Sequence, residues 1–355
     1  MAAPSSLTLE YGPLLTTTLM NSRKVIEDQI STANAVFYAI TKRKNYRKVS
    51  SPGERVKIEL MYGLTQPDSY SGYDELALFP TEGITAAFFD WAQMSVPIMI
   101  SGKERKQNKG ENAIINLMTT KVKQATLGIK EYFAKTFLQG NGVNGATAGQ
   151  TALPYTSPRN SSTFIDPIGK LVKYDPTAAV TIGNIPQNTY TWWRNQAKAS
   201  TATTFAEFFV ELDNHLNNCG KGVGGRADLH ICDQNFFEFY AKALRKFYQN
   251  PTYARADFPF HNIALYNDPM VWDEFAVNAK DESTTLDVAE ASLWSLNTNF
   301  LGIDVDSETD FAPDEWKKAD NQDAWASHVL WMGASWVSNR RKHGVYGNVN
   351  TAINS

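Results

Sequence analysis

Apolar residues recur at steps of three and four from Glu111 to Leu138, at Ile114, Met118, Val122, Ala125, Ile129, Phe133 and Phe137. Asn116, Thr120, Lys123, Lys130 and Lys135 lie on the opposite face, so the spacing predicts one amphipathic helix about 42 Å long. Gly110 and Gly140 bound it. Gly128 inside it costs about 1 kcal/mol relative to alanine, which predicts a close packing contact there. The same period predicts helices over 22–38, over 203–218 with Phe205, Phe208, Phe209, Leu212 and Leu216 on one face, and over 233–248 with Asp233 as its N-cap. Arg55 to Leu60 alternates charged with aliphatic residues, the period of a strand with one wet face. A return strand is expected from Thr85 to Ile100, interrupted at Pro97. Further strands are expected over 228–232, 263–266, 270–272, 293–296, 301–305 and 324–337. Helices and strands do not alternate regularly, which points to an α+β fold.

Between the two strands of the first hairpin lie turn signals at Gln66-Pro67, Ser71-Gly72, Pro80 and Gly83. The hairpin therefore reads as a long projecting ribbon carrying Tyr62, Tyr70, Tyr73, Phe79, Phe88, Phe89 and Trp91. A two-stranded ribbon is marginal in water, and seven aromatics on it need cover. Either it folds back on its own domain or another subunit covers it. The residues by themselves favour folding back.

Charge adds a polarity that the net value of −3 conceals. Residues 21–60 hold 9 Lys/Arg against 4 Asp/Glu, with a cluster at Lys42, Arg43, Lys44, Arg47 and Lys48. Residues 268–323 hold 15 acids against 3 bases, including Asp304, Asp306, Glu308, Asp310, Asp314 and Glu315. Such asymmetry suggests partners of opposite sign, or one self-complementary partner. The length of 355 residues implies one elaborated domain or several subdomains. No apolar run is long enough to span a membrane, and no signal peptide is visible. Two cysteines, Cys219 and Cys232, exclude a disulfide scaffold.

Candidate chemistry is sparse. Gly140, Gly142 and Gly145 match a dinucleotide fingerprint as a string, but a helix precedes them where a strand is required. The glycines of 220–225 lack the Lys-Ser/Thr ending of a phosphate loop and read as a turn. Five scattered histidines show no ligand spacing, and His230 with Cys232 reads as packing. No catalytic residue, cofactor or metal site is expected. The basic cluster with Tyr46 inside it suits nucleic-acid backbone or an acidic protein surface.

The order of parts resembles a tailed-phage major capsid protein. The resemblance rests on the basic arm, the ribbon ending in Val96-Pro97-Ile98-Met99-Ile100-Ser101-Gly102, and the long helix opening Gly110-Glu111-Asn112. Gly72-Tyr73-Asp74-Glu75-Leu76, residues 184–195, Asp228 to Leu244 and Leu265 to Glu274 extend it over most of the chain. It implies the Hong Kong 97 capsid fold: an arm (1–52), an extended loop (53–103), a peripheral domain (104–185, with the spine helix 111–138, plus strands of 297–355) and an axial domain (186–296). It further implies a non-enzymatic shell subunit that forms hexamers and pentamers of an icosahedral head, assembled in the host cytoplasm and ending in the virion. Its partners would be copies of itself, portal, scaffolding and decoration proteins, and packaged double-stranded DNA bound without sequence specificity, with no membrane. Under that reading the ribbon is covered by neighbours. Inter-subunit contacts are then expected at Tyr70, Tyr73, Phe79 and Trp91, at Lys42, Arg43, Lys44, Arg47 and Lys48, and at Asp310, Asp314 and Glu315. No lysine lies between Lys57 and Lys103, so the loop tip cannot form the lysine–asparagine cross-link of some family members. An encapsulin shell shares the fold and is the alternative. An enzyme with an unrecognised site and a basic-arm DNA-binding protein are the rivals from other classes.

Overall fold

A computed structural model describes residues 38, 40, 45–65, 67–74, 82–107, 117–139, 165–222, 224–247, 262–273, 276, 292–318 and 322–353. The expected arm helix over 22–38 lies outside them apart from Tyr38, as do Lys42, Arg43, Lys44 and Phe79. The strands are β1 (Tyr46–Val49), β2 (Arg55–Met61), β3 (Ile84–Asp90), β4 (Ala92–Ser101), β5 (Thr181–Ile182), β6 (Ile185–Pro186), β7 (Gln196–Ala199), β8 (Leu229–Cys232), β9 (Asn262–Leu265), β10 (Asp268–Trp272), β11 (Leu293–Leu296), β12 (Leu301–Pro313), β13 (Lys317–Lys318), β14 (Ala324–Val337) and β15 (Gly344–Gly347). The α-helices are α1 (Gly102–Gln107), α2 (Leu117–Gln139), α3 (Ile168–Leu171), α4 (Phe205–Gly220) and α5 (Gln234–Phe247). The chain divides into two compact units.

The smaller unit holds residues 93–133 and 307–332 among those described. Here β4 and β13 both pair with β14, and α2 presents Ala125, Ile129 and Phe133 as its buried stripe. Lys123 and Lys130 on the opposite side are exposed, as the sequence period requires. Phe133 meets Trp331 edge-on at 5.1 Å, which ties the helix to the strand beneath it. The close contact expected at Gly128 is absent. A Cβ built there meets nothing within 4 Å, so the glycine answers to no crowding from the described residues.

The larger unit is built on a six-stranded mixed sheet, β7-β15-β11-β8-β10-β9. α4 and α5 bury Phe205, Phe208, Leu212, Phe236, Phe239 and Tyr240 with Met270, Leu293 and Tyr346 in one cluster. Both helices start at a side-chain cap, and Asp233 is the one the sequence predicts. The Thr204 hydroxyl accepts the Glu207 N–H at 3.3 Å, and the Asp233 carboxylate accepts from Phe236 at 3.3 Å and from Ser292 at 2.9 Å. β9 and β10 join through Tyr266 and Asn267, both at positive φ, as a two-residue hairpin requires.

The ribbon also belongs to this unit, and there the expected return strand needs correction. It is two strands that part at Trp91. Only β3 runs back along β2, in register from Arg55↔Asp90 to Met61↔Ile84, while β4 pairs with β14. The strand expected over 301–305 continues to Pro313.

Candidate assembly surface

The ribbon has a covered face and an open one because strand residues alternate. Val56, Leu60, Ala87 and Phe89 are buried on the first face. There the β5–β6 hairpin approaches so closely that a Cβ on Gly183, at φ 62°, would lie 2.9 Å from the Ala87 methyl group. The Phe88 N–H donates to the Gly183 carbonyl at 3.1 Å, and Tyr62 stacks on Trp192 with centroids 4.9 Å apart. The base thus folds back on its own chain. Lys57, Glu59, Met61, Ile84 and Phe88 form the open face.

The tip is different. Its ladder ends at a facing glycine pair, where a Cβ on Gly83 would lie 2.7 Å from the Gly63 carbonyl. Beyond it Tyr70 is 69% exposed and Tyr73 fully so. A turn closed by the Asp74 N–H on the Ser71 carbonyl at 2.7 Å holds Tyr73 outward. Trp91 sits at the base instead, half-buried, its indole donating to the Gly53 carbonyl at 2.9 Å.

The charged candidates separate in the same way. Arg47 lies in β1, which pairs parallel with β12 and puts Arg47 opposite Asp304. Its guanidinium donates twice to that carboxylate, at 2.8 and 2.7 Å, and sits 5.1 Å from the Trp336 ring centroid. The Trp336 indole donates to the same carboxylate at 2.8 Å. Arg47 is therefore paired within its own chain. Lys48 beside it is exposed. Asp314 and Glu315 are exposed and Asp310 half-buried, and Asp314 lies 3.7 Å from Lys317.

Sequence reasoning missed the polar groups that lock the larger unit. Arg340 is fully buried and donates to the carbonyls of Leu171 and Trp193 and to the side chains of Gln187 and Asn195, at 2.7–3.0 Å. Lys342 donates to the carbonyls of Gly220, Lys221 and Gly222, capping the C-terminal end of α4 with a cation. Burial alone would raise the Glu211 carboxyl, but hydrogen bonds from Thr201, Ser200 and Tyr346 outweigh it and hold it at about 2.

The buried histidines and thiols are arranged against catalysis. His215 Nε2 lies 3.9 Å from Cys219 Sγ. Burial pushes that imidazole down to about 4 and that thiol up to about 12, the reverse of an activated thiolate pair. His230, also held neutral by burial, contacts the Ser295 hydroxyl at 3.1 Å. Among the described residues no group of three His, Cys, Asp or Glu is placed to hold a metal ion.

Solved structures share this architecture over nearly the whole chain. The chain aligns with the capsid asymmetric unit of cyanophage A-1(L) at a TM-score of 0.65 and 13% identity, covering 95% of this chain and 99% of that one. The chain has the Hong Kong 97 capsid fold. The capsid of a native GTA particle aligns at 0.55 and 12% identity, over 98% and 100% of the two chains. The holo-SrpI encapsulin complex of Synechococcus elongatus aligns at 0.54 and 6% identity, over 96% and 95%. No protein-family model and no curated protein sequence matches the chain. At these identities the shared property is the fold.

Proposed function

We propose that this chain is the major shell subunit of a tailed-phage head, self-assembling into hexamers and pentamers around double-stranded DNA. The observation that carries the reading is where the apolar surface lies. Seven of the thirteen large exposed hydrophobics among the described residues are on the ribbon: Met61, Tyr62, Leu64, Tyr70, Tyr73, Ile84 and Phe88. Burying a large apolar side chain stabilises by about 1.5–3 kcal/mol, so a projecting ribbon of this composition favours association. Full-length likeness to capsid subunits supports copies of this chain as the partner.

The domain boundaries at 52, 103, 185 and 296 belong to this reading, as do the portal, scaffolding and decoration partners and the virion location. So do subunit contacts by Tyr70, Tyr73, Phe79 and Trp91, by the basic residues around Lys48, and by Asp310, Asp314 and Glu315. Among the described residues no helix is long and apolar enough to cross a membrane. The encapsulin likeness supports a second reading, a protein-filled shell of the same geometry.

Expression of the chain alone, followed by sedimentation and negative-stain microscopy, tests the proposal. Closed shells are expected, and a chain lacking residues 66–82 should stay soluble without forming them. Subunits that remain monomeric under all assembly conditions overturn it. The contents of particles recovered from cells, nucleic acid or a defined protein, decide between phage head and encapsulin.

A further inference from the structure

Five non-glycine residues among those described have a left-handed backbone. Asn184, Tyr266 and Asn267 sit in hairpin turns and Asn348 follows β15, but Phe311 lies inside β12, at φ 50°. A left-handed residue within a strand marks a β-bulge, where glycine is the usual occupant and a bulky side chain is strained. What opposes the strain is contact. The Phe311 ring lies edge-on to Phe133 of α2 at 6.5 Å and 6.1 Å from Trp331 of β14, with the Lys130 ammonium 5.8 Å from its centroid. A second unfavourable feature adjoins it. Trp331 is 1% exposed, and its indole N–H finds no acceptor among the described residues. A buried donor left without an acceptor is costly, and such a group calls for an explanation. Backbone strain and an orphan donor thus meet in one cluster, and both disfavour the conformation that the ring packing holds.

We propose that Phe311 is a two-position catch. In the position seen here, the bulge turns its ring onto α2. In the other, Phe311 takes the ordinary extended backbone of a strand and its ring leaves Phe133 and Trp331. Water then reaches the indole N–H and accepts from it. Aromatic packing favours the first position; relief of strain and of the orphan donor favours the second, so the two interchange. Every residue of the catch belongs to the smaller unit. It decides whether the end of β12 is tied to α2 as well as to β14, where the Asp314 N–H donates to the His328 carbonyl at 2.7 Å. Asp310 and Asp314 flank Phe311 in sequence. Their part in subunit contact rests on the shell-subunit reading, whereas the catch is a property of the subunit itself.

Fluorine NMR on the soluble full-length chain, labelled with 5-fluorotryptophan, reads both positions at Trp331. The variant Trp331→Phe identifies the signal by its loss. Relaxation dispersion and saturation transfer should show that signal exchanging with a second state populated at about 0.1–10%. Phe311→Val carries a β-branched side chain that resists the left-handed backbone. Its Trp331 signal should move to the position of that second state. Melting curves test the strain separately. Phe311→Gly should melt above Phe311→Ala, because both lose the ring and only glycine accepts the left-handed backbone freely. A Trp331 signal without exchange at any temperature below melting overturns the catch, as does a glycine variant no more stable than the alanine one. Exchange is read on the wild-type chain, so the test stands even where the valine variant fails to fold. It also stands apart from the shell reading, which fails by its own outcome, a chain that forms no shells.

Discussion

Acid should destabilise this protein through His343, well above the pH at which its carboxylates are protonated. The imidazole is fully buried beside Arg340, and its Nδ1 accepts the Asn297 N–H at 3.2 Å. A proton on Nδ1 would replace that hydrogen bond with a clash of two donors. Burial, with a smaller contribution from the Arg340 charge, pushes its pKa down to about 3, against an opposing backbone hydrogen bond at Phe300. Above pH 6.5 neither the folded nor the unfolded form takes up the proton, so the group contributes nothing to pH dependence there. Below it only the unfolded chain binds the proton, and stability falls by about 1.4 kcal/mol per pH unit until the folded form also titrates. Between pH 7.5 and 4.5 the loss through this residue is roughly 2–3 kcal/mol, a large part of the usual 5–15 kcal/mol. His215 and His230, depressed to about 4 and about 3, act in the same direction. Urea melts of the soluble subunit at the two pH values measure the drop directly. His343→Asn is destabilising at both, because the site loses its fit, but it should shrink the drop by roughly 2–3 kcal/mol. An unchanged drop in the variant would refute the buried neutral imidazole.

Ile129→Ala should cost roughly 2–5 kcal/mol through the cavity it leaves, whereas Lys123→Gln on the exposed side should stay within about 0.5 kcal/mol. Equal thermal shifts for both would contradict the assigned faces of α2. Arg340→Met removes the donor from the Leu171 and Trp193 carbonyls and the Gln187 side-chain oxygen, and should cost about 3–5 kcal/mol, with Arg340→Lys recovering only part of it. A neutral result in chemical denaturation would mean those hydrogen bonds contribute nothing. Glu211→Gln should cost about 3 kcal/mol at pH 7. That penalty should fade as pH falls from 4.5 towards 2, because a carboxyl held low stabilises only while it is ionised; a penalty that persists at pH 2 would assign it to packing.

The sequence alone determined what depends on neighbours within a few residues. The stripes of α2 and α4, the start of α5 at its Asp233 cap and the wet face of β2 follow from period and capping chemistry. So does the α+β class, because the order of elements along the chain excludes a repeating βαβ arrangement. Tertiary structure decided what depends on a partner far along the chain. Residues 85–100 read as one strand, but β3 and β4 have different partners, so the chain turns at Trp91. Gln196–Ala199 and Gly344–Gly347 carry little strand pattern and become strands through distant partners, the first along the second and the second also along β11. Arg47 reads as part of an exposed basic run until parallel pairing with β12 places Asp304 opposite it. Arg340, Arg341 and Lys342 look alike in sequence, yet the first and third are buried and the second exposed. A buried cation is stable only where carbonyls and amide oxygens converge on it, and at Arg340 those come from residues 145 to 169 positions away, which no local pattern encodes.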